Sequence, residues 1–243
     1  MAKDQRAAMD FYQDLFGWQG EIGSDFGGYA VMELRGRPVA GIGPSMASGG
    51  MPEPPHVWTT YLSTDDADAS ADRISGSGGS VMVPVMDVGT LGRMSIAADP
   101  TGAVFGFWQH QDFFGATVVN EPGALVWNEC NTRDVAGATA FYKSAFGIDA
   151  EPMEGVDNYL ELKVGGNTVG GLQNMGTDFP EQVPPHWMTW IAVDDVDSTV
   201  AAHVRAGGSV TVPPMQIPPG RMAGLTDPWG AVFCVLQQGE PVS

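Results

Sequence analysis

The chain has 243 residues, 43% of them hydrophobic, and 29 acidic against 11 basic side chains give a formal charge of -18. A charge of that sign repels phosphate backbones and anionic lipid surfaces, so neither nucleic acid nor a membrane is an expected partner. Two cysteines, Cys130 and Cys234, supply neither a disulfide framework nor a zinc-type cluster. No run approaches the ~18 apolar residues of a membrane span, and the opening MAKDQRAAMD lacks the apolar core of a signal peptide. A cytoplasmic protein is expected, with room for two domains.

Taken in chain order, the sequence repeats itself. Asp4 to Gly17 (DQRAAMDFYQDLFG) matches Asp134 to Gly147 (DVAGATAFYKSAFG). Val39 to Ile42 falls on Val169 to Leu172, Pro54-Pro55-His56 on Pro184-Pro185-His186, and Gly78 to Val81 on Gly207 to Val210. Gly92-Arg93-Met94 with Asp99 to Phe105 (DPTGAVF) recurs as Gly220-Arg221-Met222 with Asp227 to Phe233 (DPWGAVF). A repeat of this length is a duplicated domain, not a solenoid unit. The boundaries follow as 1-109 for the first copy, 110-122 for a linker and 123-243 for the second copy.

Within each copy a short amphipathic helix comes first. Ala8, Phe11, Tyr12, Leu15 and Phe16 recur at helical spacing before Gly17, and Thr139, Tyr142 and Phe146 do so before Gly147. Strands are expected from alternation at Tyr29 to Leu34, Val57 to Thr64, Val81 to Val85, Met94 to Ala97 and Val104 to Trp108, and again at Tyr159 to Val164 and Trp187 to Val193. A second helix follows a double acid in each copy, Asp65-Asp66 before Ala67 to Ile74 and Asp194-Asp195 before Val196 to Ala206, because acids at a helix start answer its exposed N–H groups.

This order of elements, with the FY/FG ending of the first helix, the D-D-[AV]-D helix start and the D-P-x-G-A-V-F turn, resembles the vicinal oxygen chelate (glyoxalase/bleomycin resistance/dioxygenase) superfamily over essentially the whole chain. Among its members the two-domain actinobacterial glyoxalase-like proteins are the most similar in layout. The resemblance implies an α+β fold of tandem duplicated domains. Each is built from paired βαβββ modules whose curved, incompletely closed eight-stranded mixed sheet holds a small molecule on its concave face, often with a divalent metal. The alignment of the helices places Trp127 to Arg133 opposite positions before Met1, so the first strand of copy one is missing. A trimmed start is the favoured explanation; otherwise another segment must cover the orphaned edge, since an open edge leaves backbone groups unpaired.

The family's metal ligands do not carry over. Its first-strand position falls on Trp127, its fifth-strand position on Thr59 and Met188, its last-strand position on Gly106 and Cys234, and its fourth-strand position on the Ala40-Gly41 and Gly170-Gly171 segments. None supplies the carboxylates that an oxygen-chelating site needs. The histidines, His56, His110, His186 and His203, are scattered. No cofactor is therefore expected, the family's divalent metal being the alternative.

Strand alternation names what faces the hollow instead. In copy two these are Trp127, Glu129 and Asn131 with Met188, Trp190 and Cys234, an aromatic and sulfur-rich wall suited to a flat or apolar ligand. In copy one they are Thr59, Tyr61 and Trp108. Glycines at Gly41, Gly106, Gly170 and Gly171 are expected to make room for that ligand. Glu129, the ionisable group on the inward face of copy two, is a candidate general base if burial raises its pKa; an ion pair with Arg133 or Arg221 is the other reading. Cys234 has no histidine beside it to act as its base. Three functions stay open. The first is a metal-free binder of an apolar or aromatic metabolite or antibiotic. The second is an enzyme, either a lyase, isomerase or cyclase using Glu129 or a glyoxalase- or dioxygenase-type metal enzyme. The third is an interaction module. A monomer or a homodimer is expected.

Overall fold

The computed structural model describes residues 1–24, 26–45, 55–177 and 179–239, so Pro54 of the repeated Pro-Pro-His run lies outside the described residues. The helices expected from periodicity form as α1 (Gln5–Phe16), α2 (Ala67–Gly76), α3 (Val135–Phe146) and α4 (Val196–Arg205). Each starts on an aspartate. The side chains of Asp4, Asp66, Asp134 and Asp195 accept from the amides of Ala7, Ala69, Gly137 and Ser198, satisfying donors that the first turn leaves unpaired. Gly17 (φ 74°) and Gly147 (φ 69°) end α1 and α3 in the left-handed region, as the shared FG ending predicts. None of these helices is long and apolar enough to cross a membrane.

The chain divides into two compact units, and the division does not follow the repeat: each unit takes half of either copy. The repeat boundaries 1-109, 110-122 and 123-243 describe the duplication, whereas unit 1 comprises Met1–Trp58, Gly115–Val126 and Thr189–Ser243, and unit 2 comprises Thr59–Phe114 and Trp127–Met188.

Unit 2 pairs the second half of copy one with the first half of copy two. Copy one gives the sheet β3-β6-β5-β4, from β3 (Tyr61–Ser63), β4 (Ser80–Val88), β5 (Gly92–Ala98) and β6 (Val104–His110). Copy two gives the run β7-β10-β9-β8, from β7 (Leu125–Thr132), β8 (Asp149–Pro152), β9 (Tyr159–Val164) and β10 (Asn167–Asn174). Antiparallel and parallel pairings mix in both, as in β6 with β5 and β3, and β10 with β9 and β7. Between β3 and β7 no ladder closes the surface; a side-chain bond from Thr60 Oγ1 to Asn128 Oδ1 (2.7 Å) joins them. The helices α2 and α3 cover one face, burying Ile74, Phe105, Phe107, Phe141, Tyr142 and Leu162 in a single core. The expected fold class is what the chain adopts: α+β, paired βαβββ modules and a mixed sheet that does not close.

Unit 1 pairs the first half of copy one with the second half of copy two. It holds the hairpin of β1 (Ala30–Leu34) and β2 (Arg37–Ile42) and the run β12-β13-β14-β11, from β11 (His186–Ala192), β12 (Ser209–Ile217), β13 (Gly220–Thr226) and β14 (Val232–Gln238). Where Thr132 pairs with Asn174 in copy two, Ala2 pairs with Pro44 in copy one, the position the repeat assigns to it. The linker reaches β2, where the Thr117 amide donates to the Pro38 carbonyl (2.8 Å).

A reciprocal exchange of hydrogen bonds explains why the FY and DPxG motifs recur. Copy-one Tyr12 donates to copy-two Asp227 (2.8 Å) inside unit 1, and copy-two Tyr142 donates to copy-one Asp99 (2.9 Å) inside unit 2. A tryptophan completes each chain, Trp58 Nε1 to Tyr12 (3.1 Å) and Trp187 Nε1 to Tyr142 (2.8 Å). The other carboxylate oxygen of each aspartate accepts from the amides of its own DPxG turn, at Thr101 and Ala103 and at Trp229 and Ala231. Buried polar groups are thereby partnered, as burial demands.

Several expectations shift in detail. The strand expected over Val57 to Thr64 forms only at Tyr61–Ser63, β6 runs on through His110, and β8 carries no clear alternation and was not expected.

Candidate functional site

The site residues expected in one wall of copy two are divided between the units. Trp127, Glu129 and Asn131 belong to unit 2 with Met188, whereas Trp190 and Cys234 belong to unit 1. Thr59, Tyr61 and Trp108 of copy one share unit 2 with Trp127, Glu129 and Asn131. The helix-free face of each unit thus draws side chains from both copies. Alternation reads the faces within a strand correctly, but which strands share a hollow depends on module pairing.

The two faces differ in openness. In unit 1 the register pairs Trp190 with Cys234 and Met222 with Leu236, and the last three side chains are 5–6% exposed. In unit 2 the equivalent positions are more open at Tyr61 (44% exposed), with Met94, Ile96 and Trp108 half-buried beside it, while Met86 (48%) is exposed to the same degree as its unit 1 counterpart Met215 (47%). The five of unit 2 lie on the face turned away from the helices, because their neighbours Leu62, Phe105 and Phe107 pack into the core. They make an apolar wall from copy one.

Copy two contributes a polar wall. Cys130, Leu160 and Leu162 point into the core, so Trp127, Glu129, Asn131, Tyr159, Glu161 and Lys163 occupy the opposite face. Glu129 is 8% exposed and lies centrally, paired in register with Gly171. Burial raises its pKa above the ordinary carboxylate value, while hydrogen bonds from Tyr159 and Asn131 act the other way. Trp127 Nε1 donates to the Tyr159 hydroxyl (2.6 Å), and that hydroxyl donates to Glu129. Burial and the adjoining Glu129 push the Tyr159 pKa up, so the phenol keeps its proton and remains a donor. Further out, Lys163 bridges Glu151 (2.6 Å) and Glu161 (3.2 Å).

The ion pair weighed for Glu129 does not form. Arg133 donates instead to the carbonyls of Pro180 (2.9 Å) and Val183 (2.8 Å), and Arg221 pairs with Asp197 (2.8 Å). Glycine plays a different part from the one expected. A Cβ on Gly171 would run into the Tyr159 hydroxyl, one on Gly106 into the Tyr61 ring, and one on Gly41 into Tyr29, so the vacated space holds tyrosine rings. Gly170 faces the Asn128 carbonyl, where a Cβ would lie 2.7 Å away. Tyr159, which sequence reasoning missed, was signalled by its match to Tyr29 at the start of the corresponding strand. It also borders a cleft of about 450 Å³ shared with Val135, Met153, Asn158 and Asn174.

The divalent metal implied by the family resemblance does not suit these residues. The central register pairs of unit 2 are Tyr61 with Gly106 and Glu129 with Gly171; the second carboxylate of that face, Glu161 across Gly171, is held by Lys163 (3.2 Å). Among the described residues no group of three His, Cys, Asp or Glu side chains could hold an ion, and hard cations require several oxygen ligands. His203 is used by the fold, its Nε2 lying 2.9 Å from the Thr226 carbonyl and 3.2 Å from that of Ser209. Nor is Cys130 a nucleophile, since burial raises its thiol pKa far above the usual range.

Comparison with known proteins agrees with this architecture. Residues 1–107 match the Glyoxalase/Bleomycin resistance protein/Dioxygenase superfamily, and residues 126–236 match the Glyoxalase-like domain. The chain is 44% identical over 240 residues to the putative glyoxylase CFP32 of Mycobacterium bovis, covering 96% of this chain and 90% of that protein. It is 38% identical over 259 residues to the anthracycline biosynthesis protein DnrV of Streptomyces peucetius, covering 99% and 92%. Among solved structures, the Mn(II)-bound glyoxalase of Novosphingobium aromaticivorans superposes with a TM-score of 0.62 at 16% identity, over 97% of this chain and 78% of that one. The 2,3-dioxygenase LapB of Pseudomonas sp. KL28 gives 0.61 at 13%, over 96% and 88%, and at such identities the likeness is one of fold. With the duplicated βαβββ modules, the family matches on both copies and these full-length relatives, the chain belongs to the glyoxalase/bleomycin resistance/dioxygenase superfamily.

Proposed function

We propose that this protein binds a flat, aromatic or largely apolar small molecule in the hollow of unit 2, without a divalent metal. The observation that carries the reading is the open wall of Tyr61, Met86, Met94 and Trp108 facing away from the core, with exposure near one half at Tyr61 (44%) and Met86 (48%). Aromatic and methionine surface left open to solvent is costly unless something covers it, and soft, adaptable side chains suit planar ligands. Two relatives, at 38% and 37% identity, are named for anthracycline biosynthesis, which makes a fused-ring aromatic polyketide the first ligand class to try. A cytoplasmic location and a monomeric or homodimeric chain accompany this reading.

The test is titration with a hydroxyanthraquinone, followed by tryptophan fluorescence. Saturable quenching is expected, since Trp108 and Trp127 both belong to the hollow; silence across a panel of fused-ring aromatics would refute it and favour an interaction module. Elemental analysis addresses the metal separately. Stoichiometric Mn, Fe, Ni or Zn in the purified protein would overturn the metal-free part.

A second reading is favoured by one observation, the buried Glu129 held by Tyr159 and Asn131 with a raised pKa. Such a carboxyl is suited to take a proton from a bound ligand, as a lyase, isomerase or cyclase requires. Under that reading Glu129→Gln binds the same ligands and loses turnover; unchanged turnover would remove Glu129 as the base.

A further inference from the structure

The geometry points to Asn131, beside Glu129, as the recognition point for a hydroxyl on the bound molecule, a phenolic or enolic O–H that donates to Asn131 Oδ1. This inference rests on the binding reading above. Asn131 is 1% exposed and lies on the same face of β7 as Glu129. Its amide hydrogen-bonds to Glu129, while its Oδ1 is buried with no hydrogen-bond partner among the described residues. A buried acceptor left unpaired is costly, and such atoms are rare in folded proteins.

The nearby donors are turned elsewhere: the Gln173 amide, across from Asn131 in the β10–β7 register, donates to the Asn174 carbonyl (2.9 Å). The single proton of Tyr159 goes to Glu129, and the Tyr159 oxygen accepts from Trp127. Arg133, two residues along the chain, donates to the carbonyls of Pro180 and Val183. An amide oxygen only accepts, so this atom calls for a donor, which a ligand hydroxyl supplies in place of a buried water. A ligand offering only a carbonyl at this place would set acceptor against acceptor. The wall of Tyr61, Met86 and Trp108 takes the rest of the molecule, which makes the hydroxyl an aromatic or enolic one and disfavours a sugar hydroxyl on a polar ring.

Two probes of nearly equal size isolate this proton. 2-Naphthol and 2-methylnaphthalene are compared by equilibrium dialysis against the intact chain and against Asn131→Leu. The intact chain is expected to bind 2-naphthol at least about tenfold more tightly, the gain from satisfying a buried acceptor, although the methyl compound is the more apolar of the two. In Asn131→Leu the ratio falls to about one or inverts, with 2-methylnaphthalene binding retained. Equal binding of both probes to the intact chain overturns the inference and leaves the hollow as a ligand site. Binding of neither overturns the hollow reading and the inference with it. The intact chain decides the matter even if the variant does not fold.

Discussion

Replacing Tyr142 by Phe removes one hydroxyl and three hydrogen bonds, the donation to Asp99 (2.9 Å), the acceptance from Trp187 Nε1 (2.8 Å) and a weak, long one from Cys130 Sγ (3.8 Å). A bond to a charged group contributes about 1.5–3 kcal/mol, and a buried N–H left without an acceptor costs about 1–3 kcal/mol. Trp187 is 9% exposed and Asp99 4%, so water replaces little of either bond, and a loss of about 3–5 kcal/mol is expected in urea unfolding. A double-mutant cycle then tests the pairing of modules. Tyr142→Phe with Asp99→Asn should couple by at least about 1 kcal/mol, because the two share one bond, whereas Tyr142→Phe with Asp227→Asn should add within about 0.5 kcal/mol. Coupling of Tyr142 to Asp227 in place of Asp99 would refute the pairing of copy-one and copy-two halves, and a loss below about 1 kcal/mol would refute the energetic argument.

The pKa of Glu129 is raised on folding, chiefly by burial, so its contribution is most favourable below the unfolded value of about 4.3 and is lost as pH rises through the folded pKa. Glu129→Gln should therefore gain stability relative to the parent chain from about pH 4 towards neutrality, and a difference independent of pH in urea titrations would sink this account. Tyr159→Phe removes a donor that favours the ionised carboxylate and so raises the folded pKa further; the loss, which still starts near the unfolded value, should extend to higher pH and grow larger, and a loss that ends at the same or a lower pH would contradict the hydrogen bond. Gly171→Ala puts a methyl where the Tyr159 hydroxyl lies, and should cost about 1–3 kcal/mol and change Trp127 fluorescence by displacing its partner; unchanged fluorescence would speak against the packing.

Much of the fold was readable because its signals are local. Acids before a helix and a glycine after it state where it starts and stops: Asp66 and Asp195 cap the helices expected of them, Gly17 and Gly147 end theirs, and Asp4 and Asp134 cap α1 and α3 in the same way. Alternation placed Trp127, Glu129 and Asn131 on one face of β7 because side chains in a strand alternate whatever the strand pairs with. Tyr159 was harder to find: its sequence position marks a strand, while its role arises from lying across Gly171 against two residues of β7.

The pairing of modules lay beyond the sequence. Tyr12 and Tyr142 are locally equivalent, as are Asp99 and Asp227, so either tyrosine could satisfy either aspartate with the same donor, acceptor and neighbouring tryptophan. Only the folded chain determines that Tyr12 meets Asp227 and Tyr142 meets Asp99. That choice assembles the open hollow from Tyr61 and Trp108 of one copy and Trp127 and Glu129 of the other, and sends Trp190 and Cys234 elsewhere. The residues and the faces they occupy follow from short-range chemistry; which faces share a hollow is a long-range contact between duplicated, interchangeable surfaces, and no local pattern encodes it.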